Sequence, residues 1–134
     1  MIDIENIVFD NVARALRLEF PGVYMVNAYI SSPEQFPCVF LEEKNNSAYA
    51  LTEDSASSEN HAEVMYEATV FSNKAVGNKR ECRKIAESLD AIMQGMGFRR
   101  SMFNPVPNLA DPSIYRIVAR YTAVVSAKHE IYRR

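Results

Sequence analysis

Residues 63–96 read EVMYEATVFSNKAVGNKRECRKIAESLDAIMQGM, and the change of hydrophobic period inside this stretch decides the fold. In its first third, Val64, Tyr66, Ala68 and Val70 alternate with Met65, Glu67, Thr69 and Phe71. That period of two sends successive side chains to opposite faces of a strand. From Lys79 the period lengthens. Cys82, Ile85, Ala86, Leu89, Ile92, Met93 and Met96 recur at three and four, the pattern of a helix with one apolar face. Gly97 ends that helix, and Asn78 with Glu81 three positions on reads as its capping pair. A strand that feeds an amphipathic helix calls for a sheet with the helix lying on it.

Working outward, Ile4, Ile7, Val8, Val12 and Leu16, with Ala15 beside them, make a second helical stripe between Ile2 and Leu18. Asp3 and Glu5 suit the positive end of its dipole, and Pro21-Gly22 stops it. VYMVNAYI (23–30), FPCVFLEE (36–43), Phe98 to Phe103 and IYRIVARYTAVVS (114–126) read as further strands. The last alternates an apolar face with Arg116, Val118, Arg120, Thr122 and Val124, as expected where helices cover one side of a sheet only. Between 44 and 62 the chain is polar and small, and reads as a long flexible loop with a short strand segment at Tyr49-Ala50-Leu51. Residues 128–134 read as a loose tail. The expectation is a single α+β domain over residues 1–134, with an antiparallel or mixed sheet of about four to five strands and two helices packed on one face.

Composition narrows the function classes. The chain has 134 residues, 48% hydrophobic and 24% charged, which suits one core and argues against global disorder. A net charge of −2 is the wrong sign for a protein that must neutralise phosphates, so no specific nucleic-acid binding is expected. Lys79-Arg80 and Arg83-Lys84 read as the outer, solvated face of the second helix. Cys38 and Cys82 both fall at apolar positions and read as small buried hydrophobes in a reducing compartment. The opening MIDIENIVFD has no basic n-region, so no signal peptide is expected, and no apolar run approaches the roughly 18 residues of a membrane span.

A search for chemistry yields little. His61 and His129 have no Cys, His, Asp or Glu at metal-ligand spacing and read as solvated surface residues. The 4 glycines form no phosphate cradle. Glu42-Glu43 and Glu53-Asp54 are paired carboxylates, placed at a strand end and in a polar loop where solvation is the ordinary state. Met93 and Met96 fill the helix stripe, whereas Met65 and Met102 fall elsewhere. Tyr24, Tyr29, Tyr66, Tyr115 and Tyr121 all sit in expected strands, where core packing and subunit contact both suit an amphipathic ring. No enzyme activity, cofactor or metal is expected.

The pieces Val70-Phe71-Ser72, the helix from Lys79 to Met96, Gly97-Phe98-Arg99-Arg100, the loop through Asp111, and Ile114-Tyr115-Arg116 to Arg120-Tyr121 follow one another in an order that resembles the tail terminator (tail completion) proteins of long-tailed phages and prophages. The likeness spans about 60 residues and is one of hydrophobic order. It implies a structural virion protein of the phage tail, assembled in the cytoplasm of the infected host. Such a protein forms a homo-oligomeric, hexameric ring that caps the tail tube, stops its polymerisation and meets the head connector protein. By the same resemblance, partner contacts are expected in 42–60, at Arg99-Arg100 and in 104–111. The residues singled out are Glu43, Lys44, Glu53, Asp54, Arg99, Arg100, Asn108 and Asp111. A head–tail connector or neck subunit is the neighbouring alternative. A small enzyme with a site built from scattered polar residues is the alternative from another class.

Overall fold

A computed structural model describes residues 1–28, 32–48 and 61–132. In chain order these form α1 (Glu5–Glu19), β1 (Tyr24–Val26), β2 (Cys38–Ala48), β3 (His61–Ser72), α2 (Asn78–Met96), β4 (Arg99–Pro105), β5 (Tyr115–Ser126) and β6 (Ile131–Tyr132). The strands make one mixed sheet in the order β1-β2-β3-β5-β4, with β1 parallel to β2 and every other pair antiparallel. Both helices supply the core on one face of it. Val8, Val12, Ala13 and Leu16 of α1 and Cys82, Ile85, Ala86, Leu89 and Met93 of α2 are buried against Val64, Tyr66, Ala68 and Val70 of β3 and Ile117, Ala119, Tyr121, Ala123 and Val125 of β5. The α+β fold read from the two periods is thus the fold observed, with six strands among the described residues where four to five were expected.

The helices run antiparallel. Asn11 of α1 donates to the Met96 sulfur at 3.7 Å, and Ser88 donates to both oxygens of Glu19 at 2.9 Å. The start of α1 therefore lies toward the end of α2, and the start of α2 toward the end of α1.

Several expectations change on the structure. β2 runs to Ala48 and β3 begins at His61, with Asn45 to Ala48 laddered onto Met65 to Ala62. The ends of the expected flexible loop are therefore strand, because a long partner overrides the poor strand propensity of Asn and Ser. The tail is not wholly loose either. Ile131 and Tyr132 pair with Val125 and Val124, on the side of β5 that β4 occupies farther along. Ser126 shapes the turn between them, its hydroxyl accepting from the Lys128 and Glu130 N–H groups. Ile7, placed on the apolar stripe of α1, is 43% exposed, while Ala13 is buried in its stead. Asn78 does not cap α2. Gly77, at φ 87°, precedes the helix, and Glu81 accepts a hydrogen bond from Ser72 Oγ at 2.6 Å instead of closing a capping box. The strand expected over 23–30 is described only as Tyr24–Val26, which is as much as opposes Cys38–Phe40. Residues 49–51, expected to be a short strand, lie outside the described residues.

The far face of the sheet is not uniformly polar. At one end Cys38, Phe40, Phe71 and Ile114 form a second buried cluster, with Tyr24, Val26 and Phe36 packed on it. Toward the middle of that face, Glu67 and Arg120 face each other across β3 and β5 in a 3.2 Å ion pair.

Gly97 joins the two layers. The Gly97 N–H donates to Gln94 O and the Phe98 N–H to Met93 O, closing α2 with a left-handed residue at φ 109°. A Cβ there would stand 2.8 Å from the Ile131 carbonyl oxygen. Gly97→Ala should therefore lose at least about 1–2 kcal/mol in denaturant unfolding from the backbone conformation alone, and loosen β6 as well. Gly95→Ala, in a helical position with open space around it, should be neutral or stabilising by up to about 1 kcal/mol. Both cysteines are fully buried, as their apolar contexts suggest. Burial pushes the Cys38 thiol up to about 11 and the Cys82 thiol up to about 12. A maleimide at neutral pH should leave both unlabelled in the native protein and label both in denaturant.

Candidate functional site

Two of the expected contact residues stand at the ends of one row across the sheet. Glu43 on β2 pairs with Tyr66 on β3, Tyr66 with Tyr121 on β5, and Tyr121 with Arg100 on β4. The tyrosines are 1% and 0% exposed. Tyr66 donates its hydroxyl to Glu43 Oε1 at 3.0 Å, and Tyr121 donates to Asp90 Oδ1 at 2.7 Å. The other Asp90 oxygen accepts from Gln94 at 2.7 Å and Arg100 at 3.2 Å. The guanidinium of Arg100 also stands 5.6 Å from the Phe103 ring centre. Burial, reinforced by these carboxylates, holds both phenols far above the ordinary tyrosine range. Arg100 thus ties β4 to α2, while Glu43 ties β2 to β3.

Glu43 departs from the solvated state expected of it. Burial raises its proton affinity above the ordinary carboxylate value, and the charges of Glu5 and Asp3 add to this against the hydrogen bond from Tyr66. Lys44 is exposed in a 2.8 Å ion pair with Glu42. Arg99, opposite Thr122, is exposed on the sheet face away from the helices. Glu53 and Asp54 lie outside the described residues, and with them most of the 42–60 segment.

Asn108 and Asp111 belong to a loop that is internally bonded. Asp111 Oδ1 accepts from the Ser113 N–H at 3.0 Å and from its hydroxyl at 2.6 Å, which holds the carboxyl below the ordinary range. Asn108 Oδ1 accepts from the Asp111 N–H at 3.4 Å. At the base, Arg116 donates to the carbonyls of Val106 and Pro107 at 3.3 and 3.2 Å, and the Val106 N–H returns a bond to Arg116 O. The loop so held walls a cleft of about 420 Å³ with Pro105, Val106, Pro112, Ile114 and Tyr115. Leu109, which also lines it, is 91% exposed.

A second cleft, of about 680 Å³, runs along the first turns of α2 between Val76, Lys79, Arg80, Arg83 and Lys84. Sequence reading treated these cations as an ordinary outer face. The signal it passed over is their position, since cations in the first turns of a helix oppose its dipole.

His61 differs from expectation in being half-buried, 6.2 Å from the Tyr132 ring, with no partner for Nδ1. His129 is exposed in the turn before β6 at φ 65°. Among the described residues no group of three or more His, Cys, Asp or Glu is placed to hold a metal ion, and no helix is long and apolar enough to cross a membrane. No family model matches the chain, and no curated protein matches it. What the geometry offers is a pinned loop walling an apolar cleft, and a basic cleft along α2.

The perturbed Glu43 gives a pH signature. A carboxyl that binds its proton more tightly in the folded state adds stability in acid and loses that contribution as pH rises through its raised value. Glu43→Gln keeps an acceptor for Tyr66 and removes the titration. At pH 7 the variant should match or exceed the parent by less than about 1 kcal/mol, because the site is only half-buried. Urea unfolding at pH 7 and at about pH 4 should show that advantage vanish in acid.

Proposed function

We propose that this chain is a phage tail terminator subunit, which closes into a ring on the end of the tail tube, halts its polymerisation and presents a surface for head joining. The observation that carries this reading is the proline loop. An exposed leucine and an apolar cleft stand on a backbone already fixed by Arg116, Asp111 and Ser113. A surface fixed before its partner arrives loses little entropy on docking, which suits a permanent assembly contact. Catalysis would instead call for convergent reactive groups in a cleft.

Two further points support it. The residues that resemble the terminator family, from Val70 to Tyr121, fold as one continuous unit of strand, helix, strand, loop and strand. Glu43, the carboxyl of raised proton affinity, takes its perturbation from burial and from the acidic start of α1, against the hydrogen bond from Tyr66, a structural cause.

Purified protein mixed with tail tubes of its own phage should bind tube ends and appear there as rings of about six subunits in electron micrographs. Leu109→Asp should leave unfolding free energy within about 0.5 kcal/mol of the parent, since the side chain touches little. It should abolish binding to the tube. Tubes that continue to lengthen in the presence of the parent protein would rule the assignment out.

A further inference from the structure

We propose that the basic start of α2 is a docking surface for the acidic end of a second copy of this chain, so that copies join head to tail. The inference rests on the ring reading above and names the contact that would close the ring.

Residues 74–87 carry Lys74, Lys79, Arg80, Arg83 and Lys84 against Glu81 and Glu87, a net of +3 in a chain whose net charge is −2, which leaves −5 on the remainder. All five cations are exposed. Among the described residues Lys74, Lys79, Arg80 and Lys84 make no ion pair, and Arg83 reaches Glu87 only at 3.8 Å. Glu81 is already engaged by the Ser72 hydroxyl. Lys79 and Arg80 stand in the first turn, where the helix dipole disfavours them. A local preference broken without local compensation is what a contact surface leaves behind.

The opposite charge lies at the opposite end of the helix layer. Since α1 and α2 are antiparallel, the start of α1 is remote from the start of α2, whereas Phe20, just past the end of α1, shares a cleft with Gly77, Arg80 and Lys84. At the remote end Asp3 and Glu5 are close enough for their charges to act on Glu43. The first ten residues hold Asp3, Glu5 and Asp10 and no Lys or Arg. Asn46 fixes the acidic segment to the sheet by donating to the Ile2 carbonyl at 2.7 Å.

Poles of opposite sign at opposite ends select a heterologous contact over a two-fold one, because a two-fold axis would bring like poles together. A protein suits the basic cleft better than a nucleic acid. Glu87 lines it and Val76, 86% exposed, stands in it, so a phosphate chain would meet a carboxylate and an apolar side chain there.

The test is sedimentation velocity over a concentration series at about 50 and about 500 mM NaCl, salt concentrations that move the screening length across the scale of a contact. Arg80→Glu with Lys84→Glu should weaken self-association at least about tenfold, and so should Asp3→Asn with Glu5→Lys, in which Asn keeps the oxygen that accepts the Glu5 N–H. Mixing the two variants should restore association between them. Circular dichroism and the melting temperature check that each remains folded, and weakening of the parent by salt supports the contact independently of any variant. Parent rings that form equally well from both variants overturn the contact and leave the ring reading standing. A parent that stays monomeric at every concentration, and with tail tubes present, overturns both. Binding of a short DNA duplex by the parent but not by Arg80→Glu/Lys84→Glu, with self-association unchanged, assigns the cleft to nucleic acid and overturns the proposal.

Discussion

Tyr66 and Tyr121 stand side by side on the two central strands, rings in the core, each hydroxyl given to a different carboxylate. A phenol left without a partner at that depth costs about 1–3 kcal/mol, so each ring dictates where a carboxylate must be. Tyr121 requires Asp90, and that sets the rotation of α2 on the sheet. Tyr66 requires Glu43, which fixes the height of β2. Through Asn46 and the Ile2 carbonyl, β2 in turn holds the entry to α1. Phe98 packs edge-on against Tyr66 at 5.4 Å, immediately after the glycine that closes α2. A slip of one residue between β3 and β5 would put the two phenols on opposite faces of the sheet, so the pair also guards the register.

The core was legible in the sequence wherever a period persisted. The alternation from Val64 to Val70 and the three-four spacing from Cys82 to Met96 each mark one buried face, and burial follows them closely. What could not be read was set by partners distant in the chain. Nothing local in Asn45-Asn46-Ser47 announces a strand, because the ladder comes from β3. The tail strand depends on space left by Gly97, thirty-odd residues earlier. Ile7 fits the spacing but faces water, since one helix offers several adjacent stripes and only packing chooses among them.

The candidate surfaces were legible in part, for a related reason. The resemblance points to polar residues in 42–60, at Arg99-Arg100 and in 104–111, yet Glu43, Arg100, Asn108 and Asp111 bond within the chain. A charge pattern does not reveal which charges are internally satisfied. The cations of α2 were passed over because a basic helix face is commonplace. Only the antiparallel packing of α1, which sends the acidic residues to the far end, gives them a counterpart.

Among the described residues β2 is a margin of the sheet beyond the end of β1, and both it and the edge strand β4 are interrupted at the level of the tyrosine row. β2 carries a register shift between Glu43 and Asn45, and β4 carries one between Arg100 and Met102, so that Lys44 and Ser101 have no partner in the ladder. Such bulges bend and twist a sheet margin out of the flat geometry on which another strand could template. Strand addition and fibril-like stacking are thereby discouraged at both margins. Recognition on this scaffold then falls to side chains, which evolution can change one at a time while the backbone, and with it the capacity to fold, stays as it is.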